Sequence, residues 1–275
     1  MIDSKQLIKS TGHTPNKALG QNFLTDTGAI DKIIQSIDCS GLNVLEIGPG
    51  FGALTNELAK YAKKVVAVEI DRNLADFLSD LFRDRENIEI ICCDFLKLPL
   101  PEIESHFFGQ PFVVAANLPY YITSPIISRL MEANLPISRM VLMMQDEAKE
   151  RFTCKIGSKS YGPLTVFSQY LYNIDIVMKL SPNSYYPAPE VCSCVLKFER
   201  KAKVLPPNFV KVVKASFAMR RKTLYNNMLS ILSKDEANVV IESAGLYPSI
   251  RAEAVEIAAF VRLAEAFSDS KSHLL

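Results

Sequence analysis

The segment Asn117-Leu118-Pro119-Tyr120 sets an amide, a main-chain carbonyl ahead of a proline and an aromatic ring side by side. These are the groups needed to make a nucleophile of an exocyclic amine on adenine, whose lone pair is delocalised into the ring. The Asn117 amide oxygen and the Leu118 carbonyl can each accept a hydrogen from such an amine and favour its pyramidal form. Tyr120 can stack on the base, which requires the nucleotide to be single-stranded or flipped out of a duplex. The same four residues could also form an ordinary turn with a buried tyrosine. Their place at the end of an apolar, strand-like run, where ligands of parallel sheets bind, favours the chemical reading.

A second constellation supplies a cofactor site. Val44-Leu-Glu-Ile-Gly48-Pro-Gly50-Phe-Gly52 reads as a strand running into a glycine-rich turn and a helix, which brings backbone close to a ligand. The next apolar run ends at Glu69, about 20 residues beyond the first glycine, where an acid can accept from both hydroxyls of a ribose. The loop is Gly-x-Gly-x-Gly and no phosphate-binding lysine follows, so a pyrophosphate ligand is disfavoured. S-adenosylmethionine, a phosphate-free nucleoside, fits better. Asp94 and Phe95, after a third run, can bind the edge and face of its adenine, although Asp94 could equally be a helix cap. A sulfonium is an activated methyl donor, so positioning can carry most of the rate. His13, His106 and His273 are scattered and form no nucleophile-base pattern, and no metal is expected.

The elements that would hold these residues alternate. Strands are expected at Asn43 to Ile47, Lys64 to Val68, Ile88 to Cys92, Phe112 to Ala116, Arg139 to Met144 and Cys192 to Phe198. Helices with one apolar face lie between them, one carrying Ile30, Ile33, Ile34 and Ile37 and another Leu54, Leu58 and Tyr61. This is the pattern of an α/β domain with a mainly parallel sheet. After Leu205-Pro-Pro the pattern turns helical, with Phe209, Val212, Val213 and Phe217 on one face, then Leu224, Met228, Leu229 and Leu232, then Val255, Ala258, Ala259 and Leu263. Two domains are therefore expected, 1–203 with an N-terminal arm over 1–20, and a helical 204–275. The chain has 275 residues, 48% of them apolar and 22% charged, enough for a real core. Its six cysteines make no zinc pattern and read as reduced thiols, and no run is long enough to span a bilayer, so a cytoplasmic, monomeric protein is expected.

A net charge of +1 gives no general preference for polyanions, so an RNA surface must come from local clustering. Between residues 197 and 222 there are nine basic residues (Lys197, Arg200, Lys201, Lys203, Lys211, Lys214, Arg220, Arg221, Lys222) against the single acid Glu199, a local +8. Such a run is often a solvated face. Beside an expected base site it reads as phosphate-contacting, supplying affinity and salt dependence rather than sequence choice. Lys5, Lys9 and Lys17 could form a second contact.

With these residues in view, the chain resembles the rRNA adenine N6,N6-dimethyltransferase family. Lys17-Ala-Leu-Gly-Gln-Asn-Phe-Leu24 is similar to its N-terminal motif, Glu46-Ile-Gly-Pro-Gly50 to its cofactor loop and Asn117-Leu-Pro-Tyr120 to its catalytic motif. Tyr161-Gly-Pro-Leu-Thr165 and Phe217-Ala-Met-Arg-Arg-Lys-Thr223 are similar to its later motifs, all in family order from about residue 17 to about residue 265. The resemblance implies a class I, Rossmann-like S-adenosylmethionine-dependent domain with a small C-terminal helical domain. It also implies dimethylation of two adjacent adenines in the 3′-terminal hairpin loop of 16S rRNA in the 30S particle. Carried over, Asn22, Leu24, Gly48, Glu69, Asp94 and Asn117 would contact the cofactor, and Tyr185, Arg220, Arg221 and Lys222 the RNA. Two departures stand out: Tyr121 occupies a position that is asparagine in many members, and Tyr185-Tyr-Pro-Ala-Pro189 replaces a Phe-x-Pro-Pro-Pro segment. A ribosome-assembly factor without turnover and a DNA adenine methyltransferase are the alternatives; intact Glu69, Asp94 and Asn117 weigh against the first, and the Phe217 to Thr223 motif against the second.

Overall fold

The computed structural model describes residues 4–16 and 19–272. Lys17 of the N-terminal motif lies outside the described residues, as do the side chains of Lys5 and Lys9. The chain forms two compact units, Met1–Lys149 with Ile174–Arg200, and Glu150–Asn173 with Lys201–Leu275.

The first unit is built on a seven-stranded sheet. Its elements in chain order are α1 (Ser4–Thr11), β1 (Phe23–Leu24), α2 (Thr27–Ile37), β2 (Asn43–Ile47), α3 (Ala53–Leu58), β3 (Lys64–Glu69), α4 (Arg72–Leu81), β4 (Ile88–Cys92), α5 (Leu100–His106), β5 (Phe112–Asn117), α6 (Thr123–Glu132) and β6 (Ile137–Gln145). After a helical excursion, α7 (Glu150–Thr153) and α8 (Pro163–Leu171), the chain returns with β7 (Tyr172–Leu180), β8 (Tyr185–Tyr186) and β9 (Ser193–Arg200). The strand order is β4-β3-β2-β5-β6-β9-β7, parallel from β4 to β6, with β9 antiparallel to β6. The α/β fold expected from the alternation is thus present.

β2 and β5 are apolar and buried almost throughout because helices cover both faces of a parallel sheet. Register does the rest. Ile47 pairs with Val68 on one side and Ala116 on the other, and Glu69 pairs with Cys92, so the carboxyl ends of β2, β3, β4 and β5 fall in one row. The chain switches direction across the sheet between β2 and β5, and a crevice opens there. Asp26 caps α2, accepting from the Ala29 N–H at 3.0 Å, and its other oxygen accepts from the Ser184 hydroxyl at 2.9 Å. That tie helps set β8 beside β1 as a two-stranded ribbon, Phe23 opposite Tyr186 and Leu24 opposite Tyr185.

The second unit adds α9 (Phe209–Ser216), α10 (Leu224–Met228), α11 (Lys234–Ser243) and α12 (Ile257–Ser272) to α7 and α8. Residues 150–173, which the sequence reading kept with the first unit, group here because long-range bonds hold them. The Tyr161 hydroxyl donates to the Val255 carbonyl at 2.9 Å and the Gly157 N–H to the Glu253 carbonyl at 2.8 Å. Phe217 packs its ring 6.1 Å from Tyr161 and 5.6 Å from Phe260. The two later motifs therefore meet in the core of this unit. Three local expectations differ: α3 stops at Leu58 and leaves Tyr61 exposed, α11 was not foreseen, and neither was β7, whose mixed polar and apolar residues fit a sheet edge.

Candidate active site

A cleft of about 770 Å³ opens at the carboxyl ends of the central strands, lined by Gly48 and Gly50 after β2, Glu69 after β3, Asp94 and Phe95 after β4, and Asn117 to Tyr120 after β5. The segment from Leu19 to Phe23 forms a further wall, and apolar residues including Leu74, Ile122 and Ile126 complete the lining. Of the six residues expected at the cofactor, five line this cleft.

The sixth, Leu24, does not. In a strand successive side chains point to opposite sides, and in β1 Phe23 lines the cleft while Leu24 enters the core beside Tyr185 and lines an adjoining cavity of about 350 Å³ that shares Phe23, Gly48, Gly50 and Asn117 with the cleft. Tyr185 is also placed differently from the expectation of base contact. It is 4% exposed, packed in that core by the β1-β8 pairing. Its hydroxyl closes no well-formed hydrogen bond, although the Ser193 hydroxyl, which pairs with Tyr120, stands beside it. No base reaches a ring so enclosed.

The loop after β2 is shaped for close approach. Gly50 has φ +58°, and a Cβ there would lie 2.7 Å from the Phe23 ring, so only glycine fits. With Gly50 in place, its N–H donates to Glu69 Oε2 at 3.2 Å while the Asp71 N–H donates to Oε1 at 3.0 Å. Burial pushes the Glu69 carboxyl above the usual carboxylate value, and these donors pull it back down. Asp71 caps α4 through Asn73 and accepts from Gln21 Nε2 at 2.9 Å. The N-terminal arm is thereby tied to the strand end that carries Glu69.

Asp94 caps a turn and lines the cleft at once. Its Oδ1 accepts from the Leu96 N–H at 2.9 Å as a local cap, and the carboxylate still lines the cleft, with Lys97 3.7 Å away. Arg129, not singled out from sequence, holds this loop: its guanidinium donates to the Leu96 and Leu98 carbonyls and lies 5.8 Å from the Phe95 ring centroid. A basic residue late in α6 carries no sequence signal of that role.

At the catalytic motif, Asn117 Nδ2 donates to the Asn22 carbonyl at 2.8 Å. With the amide nitrogen so committed, Oδ1 is the atom left to accept from a substrate amine. The Leu118 N–H donates to the Met143 carbonyl at 3.1 Å, and Thr123 Oγ1 to the Pro119 carbonyl at 3.0 Å, which fixes the backbone on both sides of the turn. Tyr120 is half-buried, its hydroxyl 2.7 Å from Ser193 Oγ. Among the described residues that line the cleft there is no lysine or arginine but two acids, Glu69 and Asp94. That lining suits a cationic, phosphate-free nucleoside and is hostile to a pyrophosphate.

Deeper in, Glu46 is 2% exposed, and one of its oxygens lacks a hydrogen-bond partner. Burial above all, with the Glu69 charge adding and the Thr55 hydroxyl beside it opposing, pushes its carboxyl up to about 8. Among the described residues no group of three or more His, Cys, Asp or Glu could hold a metal ion, and no helix is long and apolar enough to cross a membrane.

The basic run is less uniform than its composition. In the first unit, Lys197 pairs with Glu199 at 2.6 Å. In the second, Lys201 donates to the Gln169 carbonyl at 2.7 Å, and Lys203 and Lys211 sit 4.9 and 5.0 Å from the Tyr170 and Phe267 ring centroids. Arg220, Arg221 and Lys222 are exposed on the turn between α9 and α10. The Arg220 guanidinium donates to the Lys159 carbonyl. Buried Asn227 holds the base of that turn, donating to the Ser216 carbonyl at 2.7 Å and accepting from the Met219 N–H at 2.9 Å.

Comparison with known proteins agrees with this arrangement. Residues 12–269 match the family model described as ribosomal RNA adenine dimethylase. The chain is 40% identical over 280 residues to ribosomal RNA small subunit methyltransferase A of Streptococcus thermophilus, covering 97% of both, and 40% identical over 276 residues to its namesake in Streptococcus pneumoniae, covering 96% and 95%. Among solved structures, a dimethyladenosine transferase from Plasmodium falciparum aligns with TM-score 0.74 and 26% identity over 90% of this chain and 98% of that one. The 23S rRNA methyltransferase ErmE aligns with TM-score 0.64 and 28% identity over 90% and 100%. Fold, cleft and full-length similarity converge, and the chain belongs to the ribosomal RNA adenine dimethylase family.

Proposed function

We propose that this protein transfers methyl groups from S-adenosylmethionine to the N6 amines of two adjacent adenines in the 3′-terminal hairpin loop of 16S rRNA, acting on the 30S particle during ribosome biogenesis. The observation that carries the reading is the Asn117 amide, turned by the Asn22 carbonyl so that its oxygen is free for an amine at the mouth of an acid-lined cleft.

The cofactor, when bound, supplies a methyl on a sulfonium. Glu69 accepts from the ribose hydroxyls, Asp94 and Phe95 bound the adenine, and the backbone at Gly48 leaves room for the methionine part. Asn117 Oδ1 and the Leu118 carbonyl accept the two amine hydrogens and turn the nitrogen lone pair outward. Tyr120, pinned through Ser193, stacks on the target base, and positioning supplies most of the acceleration. Arg220, Arg221 and Lys222 contribute phosphate contacts from the second unit.

The test is tritiated-methyl transfer from S-adenosylmethionine to 30S particles lacking the modification. Label confined to two adjacent adenosines, with none on mature 30S particles or DNA, is the expected result. Equal labelling of DNA, or binding without transfer, would overturn it.

A further inference from the structure

Tyr121 lies outside the cleft that its neighbours line. It is the middle residue of a 3-10 turn, Tyr120–Ile122, in which successive side chains diverge by about 120°. Tyr120 and Ile122 line the cleft, whereas the Tyr121 ring is 56% exposed beside its mouth.

The ring is not merely left in solvent. The backbone of the N-terminal arm runs against it at Gly20, where φ is +62° and a Cβ would lie 3.3 Å from ring atoms Cδ1 and Cε1 and 3.5 Å from the Pro119 side chain. Any side chain at Gly20 would push the ring away. The Cδ1–Cε1 edge of the ring is therefore supported by main chain, while more than half of the residue stays exposed.

We propose that the Tyr121 ring is a stacking platform for the nucleobase next to the target adenine. A supported, exposed aromatic ring loses little freedom on binding, and every base offers a π-face to it. The inference rests on the functional reading above: a single-stranded RNA whose target base enters the cleft leaves the adjoining base at its mouth. With two adjacent adenines as substrate, the platform holds the second adenine while the first is in the cleft, and the first once the second takes its place.

Steady-state methyl transfer to undermethylated 30S particles tests this, with S-adenosylmethionine affinity measured in parallel by calorimetry. Stacking acts equally on bound and reacting RNA, so Tyr121→Ala should raise KM for the particle about tenfold with kcat little changed. Tyr121→Phe and Tyr121→Trp should keep KM within about twofold, because the ring does the binding. A parental KM in Tyr121→Ala overturns the proposal, as does damage in Tyr121→Phe equal to that in Tyr121→Ala. Lost cofactor affinity in Tyr121→Ala at unchanged particle KM also overturns it, because the ring would then serve only to seat the arm on Gly20. A parent enzyme that fails to methylate the particle refutes the functional reading instead, and is recognised before any variant is compared.

Discussion

Asn117 Nδ2 donates to the main-chain carbonyl of Asn22 across 2.8 Å, joining two residues 95 apart in the chain. The bond decides which end of the amide meets the substrate. Asn117→Asp loses the donor and sets a charge against the Asn22 carbonyl, so the side chain should turn away. Asn117→Ala removes the acceptor altogether. The monomethyl amine keeps only one hydrogen, so both transfers depend on this acceptor. Both variants should lose about 10²-fold or more in kcat for each transfer, the scale of losing one such group. Mass spectrometry of digested rRNA after single and multiple turnovers separates unmodified, monomethyl and dimethyl adenosine; dimethyladenosine at the parental rate would refute the role.

Tyr120→Phe and Tyr120→Ala should differ in size. Removing the hydroxyl frees the ring from Ser193, a net loss of about 0.5–1.5 kcal/mol, whereas removing the ring costs roughly 1–3 kcal/mol of stacking as well. The Ser193 tie makes the phenylalanine change measurable. Methyl-transfer kinetics on undermethylated 30S particles should rank the parent above Tyr120→Phe and both well above Tyr120→Ala.

Glu69→Ala should weaken S-adenosylmethionine binding, each charged hydrogen bond to a ribose hydroxyl being worth on the order of 1.5–3 kcal/mol. The variant also leaves the Gly50 and Asp71 N–H groups unpaired, so its thermal midpoint should fall too. Glu69→Gln, which keeps one acceptor, should recover most of the midpoint and only part of the affinity. Because the folded carboxyl titrates above its usual range, affinity should decline on acidification at a higher pH than an ordinary glutamate would give. Calorimetry across pH checks both.

Glu46 should make stability fall as pH rises. Its folded carboxyl holds a proton up to about 8, whereas the unfolded one releases it near 4.5, so between those values the folded state binds more protons. The slope is up to about 1.4 kcal/mol per pH unit in that window. Glu46→Gln should lack it and be the more stable protein at pH 8. Urea midpoints of parent and variant that keep a constant difference from pH 5 to 8 would show that Glu46 is charged when folded.

Replacing Arg220, Arg221 and Lys222 together by alanine should lower RNA affinity and flatten its log-log salt dependence. The slope should change by up to about 3, since the bond from Arg220 to the neutral Lys159 carbonyl leaves its charge uncompensated. Affinity for S-adenosylmethionine should not move. An unchanged slope would place these side chains away from phosphate.

What the sequence determined by itself was chemical type and order. The glycines after β2, the acid ending β3, the Asp94-Phe95 pair and the Asn117 to Tyr120 run are each written locally, and the alternation of apolar runs with helical patterns was enough to put all four at the carboxyl ends of neighbouring parallel strands. Tertiary structure decided which residues face one another across long loops. Leu24 and Tyr185 read as site residues by motif, and the β1-β8 pairing, 159 residues apart at Thr25 and Ser184, turns both side chains into the core, Leu24 against a cavity that adjoins the cleft at Gly48, Gly50 and Asn117. Arg129 on the loop after β4, Asn227 under the basic turn and residues 150–173 in the second unit gave no local signal, because their roles lie in bonds to main-chain carbonyls outside their own elements. Spacing and periodicity record which face of an element is apolar. The partner that face or a polar tip will meet depends on register and burial, and those are set by the whole fold.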